Sequence, residues 1–160
     1  MRRLLLLVGA AVVVGAMAVP ALAQVPRVNV FLYVDTVNGT RPAPGTPPRP
    51  IGCTQSNTFK RGEQVVFRVW GSVAETGDIL NTEIVKYAYV KVPGVANLKL
   101  NWGAHGAPTN RVWFWTTPWI VPADYPIGAT KARIVFKTEE NKFGLYDYEM
   151  TIVPSAAKKR

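Results

Sequence analysis

One histidine, one cysteine and ten carboxylates are all that this 160-residue chain offers to acid–base, nucleophilic or metal chemistry. His105 is the sole imidazole able to act as base to a Ser, Thr or Cys nucleophile. Its setting in "NWGAHGAPTN", between Gly103-Ala104 and Gly106, reads as a loop residue that hydrogen-bonds locally. Zinc and copper sites need clustered His, Cys, Asp or Glu. His105 and Cys53 would need unusual helpers, and the second histidine of a cupredoxin-type copper site is missing. The C-x-x-C-H run that attaches haem is missing too. A carboxylate pair for glycoside hydrolysis would come from Asp124, Glu139, Glu140, Asp147 or Glu149. Glu139-Glu140 read as a turn, and Asp147 and Glu149 alternate along the wet face of a strand, which solvation alone explains. No catalytic, cofactor-binding or metal residue is therefore expected.

Aromatic side chains are the other candidates. "RVWFWTTPWIVPADYPIG" (Arg111 to Gly128) holds three of the five tryptophans. Flat aromatic platforms can seat the apolar face of a sugar ring or anchor a protein partner. The candidate ligand or partner surface is Trp102, His105, Arg111, Trp113, Trp115, Trp119 and Tyr125. Trp113 and Trp115 alternate with Val112 and Phe114, so one pair must face the core. Trp102 and Trp119 read as flanking loop residues, and Trp119 to Gly128 as a corner between sheets. The stretch thus reads first as fold-defining; a binding role rests on whether Trp113 and Trp115 see water.

The elements that must position these residues are strands. Period-2 alternation dominates, and no three-turn helical pattern follows the first residues. Seven runs qualify: "RVNVFLYVD", "EQVVFRVWG", "EIVKYAYVKV", "VANLKLN", "RVWFWT", "TKARIVFKT" and "GLYDYEMTIV". Val28, Val30, Leu32 and Val34 share one face of the first, with Phe31 and Tyr33 on the other. In "EIVKYAYVKV" two phases compete: Ala88, Val90 and Val92 against Val85, Tyr87 and Tyr89. Pro93-Gly94 signals a type II turn, folding "VANLKLN" back as a hairpin. Seven short strands spaced by turn signals indicate an all-β sandwich. Residues 37–58 carry five prolines, a long extended loop or a rigid bridge across the sandwich. Asn38-Gly39-Thr40 has the glycosylation-acceptor pattern but reads more simply as a turn.

The ends give an address. Arg2-Arg3, an apolar run to Met17, Pro20 and Ala21-Leu22-Ala23 form a secretory signal peptide, 1–23, cleaved before Gln24. The apolar run is short for a membrane span, so no membrane span is expected after cleavage, and the mature chain is periplasmic or secreted. Its one domain would cover 24–154, followed by a basic tail, 155–160. The formal charge of +9 loses two with Arg2 and Arg3; the remaining positives are scattered, which suits a solvated surface more than a nucleic-acid partner. A single cysteine excludes an internal disulfide, and Cys53 reads as a small half-buried residue.

Trp119, Val121-Pro122, Asp124, Pro126 and Gly128, then "ATKARIVFKT", "EENKFG" and "LYDYEMTIV", resemble the last three strands of secreted bacterial immunoglobulin-like domains. The resemblance covers roughly 111–153 and implies an immunoglobulin-like antiparallel β-sandwich of about seven strands. The tyrosine such domains often carry early in their sixth strand is absent; Tyr125, in the corner, is the residue placed to do some of its work. Scaffolds of this kind host many functions. The expectation is a non-catalytic exported module that binds or supports another envelope or secreted macromolecule. Its partner would be another exported protein, or a second copy at an open strand edge such as "LYDYEMTIV". The alternatives are a carbohydrate-binding module with a tryptophan platform, which would take polysaccharide, and a small enzyme using His105.

Overall fold

The alternating runs fold as strands: β1 (Val30–Asn38), β2 (Thr58–Lys60), β3 (Gln64–Val73), β4 (Val85–Lys91), β5 (Leu98–Lys99), β6 (Asn101–His105), β7 (Val112–Ile120), β8 (Gly128–Thr138) and β9 (Phe143–Val153). This is a computed structural model that describes residues 29–47, 49 and 52–155. The leader at 1–23 and residues 156–160 of the basic tail lie outside the described residues.

Two sheets form, ordered β1-β3-β7-β6 and β2-β9-β8-β4-β5. Every pairing is antiparallel except β2 with β9, where Thr58 to Lys60 lie parallel to Thr151 to Val153. Lettered in chain order as A, A′, B, C, C′, D, E, F and G, the first sheet reads A-B-E-D and the second A′-G-F-C-C′. The constant-type immunoglobulin sandwich has the same A-B-E-D sheet against C, F and G. The chain is thus an all-β sandwich with that strand order.

Its core follows the sequence phases. Val65, Phe67 and Val69 of β3 face Ala132, Ile134 and Phe136 of β8, all fully buried. Val30 and Val34, then Met150 and Ile152, extend the layer toward the β1–β9 edge. No disulfide crosses it; the Trp115 ring meets Phe136 edge-on at 5.5 Å instead. The two competing phases of β4 are reconciled by a register shift between Val85 and Tyr87. That irregularity lets Val85 be buried together with Ala88 and Val90, while Tyr87 and Tyr89 turn outward. Gly94 takes φ 72° and the Val95 N–H reaches the Val92 carbonyl at 3.1 Å, the hydrogen bond of the expected type II turn.

Several expectations need correction. Among the described residues nine strands stand where about seven were expected, because β2 and β6 lie in segments that read as loops. His105 and Trp102 belong to β6, and the hairpin after Gly94 pairs only at Leu98 and Lys99 before the chain crosses to the other sheet. Trp119 is not a corner residue but the eighth residue of β7, buried. Pro118 is tolerated beside it because β6 pairs only as far as Thr116. The Val121 N–H bonds to Glu63 across the β3 side, so by alternation Pro118 aims its missing N–H at that vacated side. Cys53 is exposed rather than half-buried and sits at φ 58°. Asn38 is buried at the end of β1, so the Asn-Gly-Thr pattern offers no accessible acceptor.

The proline-rich loop is a bridge between the sheets. Its return arm lies along the outer edge of β1, with Cys53 N–H to Asn38 O (2.9 Å), Asn38 N–H to Thr54 O (3.1 Å) and Ser56 N–H to Thr36 O (2.9 Å). Two residues after Ser56 the same segment has joined β9 as β2. The last strand is therefore covered over Thr151 to Val153 and is an open edge only before that point. Arg49 holds the loop down, donating from Nε and Nη2 to both carboxylate oxygens of buried Glu63 (2.9 and 2.7 Å).

Tyr125 sits in the corner between β7 and β8, buried under the edge of Trp119 at 5.0 Å. Its hydroxyl donates to the Pro93 carbonyl at 3.1 Å, tying this corner to the β4–β5 turn rather than to its own strand. Tyr125→Phe should cost about 1 kcal/mol in urea unfolding. An unchanged midpoint would show that the tie is not used.

Candidate functional site

The β3–β7 ladder runs from Gln64–Ile120 to Val69–Trp115 and stops. Beyond it β3 continues to Val73 on β1 alone, while Ile79 bridges back to Ser72 and Leu80 N–H bonds to Gly71 O at 3.0 Å. Buried Leu80 is wedged where the two strands part; the Trp115 Nε1–H donates to its carbonyl at 2.7 Å. Gly71 allows the close approach: a Cβ there would stand 2.7 Å from Phe31 O and 2.8 Å from the Leu32 and Leu80 methyls. The result is an open trough of about 530 Å³ at one end of the first sheet.

Its rim is apolar and wet at once. Phe31 (65% exposed), Tyr33 (61%), Ile79 (66%), Val112 (50%) and Trp113 (53%) stand around half-buried Trp70 and Trp102. Among the described residues that line it, Ser72 is the only purely polar side chain. Exposed apolar side chains scattered singly are ordinary, but a contiguous group marks an interaction surface.

Two aromatic chains hold the trough. On the inner side Trp113 stacks on Trp102 (5.9 Å, 29°), Trp102 meets Trp115 at 5.6 Å, and Trp115 meets Phe136. This chain leads from solvent into the core. On the outer side Tyr33, Trp70, Phe114 and His105 cross all four strands at spacings of 5.6, 4.6 and 4.2 Å. The Arg68 guanidinium lies over Trp70 and Phe114 (5.6 and 6.0 Å) and is fixed by donating to both carboxylate oxygens of buried Asp35. Burial, and then the charge of Arg68, hold the His105 imidazole below its ordinary pKa. At neutral pH it is an uncharged ring stacked on Phe114.

The seven sequence candidates therefore divide. Trp102 and Trp113 line the trough, and Arg111 is exposed just before β7. His105 lies on the outer face. Trp115, Trp119 and Tyr125 are core residues, each 5–7% exposed. Trp113 and Trp115 do point to one side of β7, but only Trp113 reaches past the cover of the second sheet. Phe31, Tyr33, Trp70, Ile79 and Val112 were not singled out. The outward phase of Phe31 and Tyr33 in "RVNVFLYVD" was the signal available for two of them.

Among the described residues no group of three or more His, Cys, Asp or Glu could hold a metal ion, and no helix is long and apolar enough to cross a membrane. No protein-family model matches the chain and no curated protein matches it, so the reading of the trough rests on its own residues.

Proposed function

We propose that this chain is an exported immunoglobulin-like module, without catalysis of its own, that binds an apolar segment of another exported protein in the trough between β3 and β7. The observation that carries the reading is the contiguous exposed group Phe31, Tyr33, Ile79, Val112 and Trp113. Aromatic anchors beside desolvated aliphatic groups are what dominate protein-binding energetics. The strand order and the bacterial immunoglobulin-like resemblance support the scaffold, and the leader-like first 23 residues support export.

A tryptophan platform for sugars is less well supported at this place. Trp115 is buried, and the trough has few polar side chains to hold hydroxyl groups. The His105 enzyme reading has as support only a neutral imidazole against Phe114 and Arg68.

A photo-crosslinking amino acid at Tyr33, compared with one at Lys86 on the other sheet, tests the proposal in the organism's own envelope. Tyr33 should trap one dominant protein. The Tyr33→Ala/Trp113→Ala variant should then bind that purified protein with a loss of about 2–4 kcal/mol, with its unfolding midpoint nearly unchanged. Equal crosslinking from both positions, or undiminished binding by the double variant, would sink it.

A further inference from the structure

The second sheet has an outer face that the trough does not use. Register places Tyr87, Tyr89 and Lys91 of β4 between Lys99 of β5 and Lys137, Val135 and Arg133 of β8. Lys99 lies directly across from Tyr89, Lys137 across from Tyr87, and Arg133 across from Lys91. Neighbouring strands stand about 4.8 Å apart and alternate residues about 6.7 Å apart along a strand. Four cations therefore surround two tyrosines within one or two side-chain spacings. The tyrosine rings are near-parallel, 5.9 Å apart at 26°, and Tyr87 is 41% exposed.

The charges are partly spoken for. Arg133 forks onto Asp147 at 2.7 and 2.9 Å, and Lys137 lies 5.1 Å over the Phe143 ring. Farther along β8, Lys131 meets Glu149 at 3.2 Å. Lys91 and Lys99 are exposed and enter none of the salt bridges seen among the described residues. With Arg133–Asp147 and Lys131–Glu149 counted as neutral pairs, Lys91, Lys99 and Lys137 remain as three positive charges outside the salt bridges seen among the described residues.

We infer that this face binds an acidic polysaccharide, with a sugar ring on the Tyr87–Tyr89 pair and its carboxylate or sulfate groups on Lys91, Lys99 and Lys137. Charge complementarity selects an anion, and the tyrosine rings offer an apolar face to a pyranose ring. A phosphodiester chain fits less well. It is served by a basic groove that tracks its backbone, whereas Asp147 and Glu149 interrupt the cations of this face. Those carboxylates accept hydrogen bonds from the hydroxyl groups of a sugar chain, which the backbone of oligothymidylate does not offer. The site is separate from the trough, so one module would hold a protein on one sheet and a glycan on the other.

The test titrates the purified protein with polygalacturonate, with neutral dextran and with oligothymidylate, at low salt and at 0.15 M. Polygalacturonate should bind and weaken with salt; dextran should not bind, and oligothymidylate should bind more weakly than polygalacturonate. Lys91→Gln/Lys99→Gln should weaken polygalacturonate about tenfold and flatten the salt dependence. Arg41→Gln/Lys60→Gln, an equal change of charge at the far end, should leave it unaltered. Tyr87→Ala should weaken binding while keeping the salt slope. Thermal unfolding of each variant shows that it is folded. No binding of polygalacturonate at low salt, equal binding of dextran, tighter binding of oligothymidylate, or equal losses in the two charge variants would each overturn the assignment. The crosslinking experiment at Tyr33 is indifferent to all of these outcomes, so either proposal can fail alone.

Discussion

Trp115→Ala should lower the unfolding free energy by about 4 kcal/mol, read as a shift of the urea midpoint. The side chain is 5% exposed, packs edge-on against Phe136 and against Trp102, and donates its indole N–H to Leu80. Removing it opens a cavity between the sheets and leaves a carbonyl without its donor. A domain of this size has a total stability of about 5–15 kcal/mol, so the variant should sit near the edge of folding. Trp115→Phe separates the two losses: it keeps an aromatic edge for Phe136 and loses the donor and part of the volume, so its cost should be about half. It should also disturb the trough, because the Leu80 segment that holds the strands apart is anchored by that bond. Equal stability of Trp115→Ala and wild type would mean that the tryptophan is not in the core at all.

Arg49→Ala should cost about 2–3 kcal/mol at neutral pH, because it strips a buried carboxylate of its partner. Burial alone pushes the Glu63 carboxyl up. The Arg49 hydrogen bonds, the Lys60 N–H at 2.8 Å and the two positive charges outweigh it and hold the group below the usual glutamate range. A carboxylate with a folded-state pKa lower than its unfolded one stabilises the fold above the unfolded value, about 4.3. That contribution is lost as pH falls from there through the lower folded value. Wild-type stability should therefore decline below about pH 4.3, more steeply than that of Glu63→Gln, which has no proton to take up. Parallel pH profiles for the two proteins would remove the pair from any account of acid stability. Proteolysis within residues 39–57 is the local readout: Arg49→Ala should be cut faster there if the bidentate pair is what holds the loop down.

Much of this architecture could be read from alternation. The inward phases of β3 and β8 fill the core, as do Val30 and Val34 of β1 and Met150 and Ile152 of β9, because a period of two leaves a strand little choice when one face must be dry. Tyr146, in phase with Met150, is exposed, and Val28 lies outside the described residues. β2 was not legible, since three residues carry no period; its place is fixed by β9, which is remote in sequence. β6 was masked by Gly103, Gly106 and Pro108, turn-formers in composition, although Trp102 and Ala104 face one way and Asn101 and His105 the other. Pro118 made Trp119 look like a corner residue, because the absence of a neighbouring strand on one side is a tertiary fact. The trough was the least legible feature. Alternation assigns Trp113 and Trp115 to one face, but only the point where the β3–β7 ladder ends decides that one is wet and the other dry. Within the aromatic stretch, alternation could not divide Trp113, which lines the trough, from Trp115 and Trp119, which lie in the core.

The segment from Cys53 to Lys60 hydrogen-bonds first along β1 and then beside β9. The described chain enters at the end of the sandwich that carries Val30 and leaves at the opposite end, beyond Val153. A tension applied across these two ends would run lengthwise through β1 and β9. Their ladders would be sheared with many bonds loaded together instead of peeled one at a time. The stitched segment would have to slide along both strands before either sheet could open. The laced seam thus gives the sandwich resistance to a pull directed along β1 and β9.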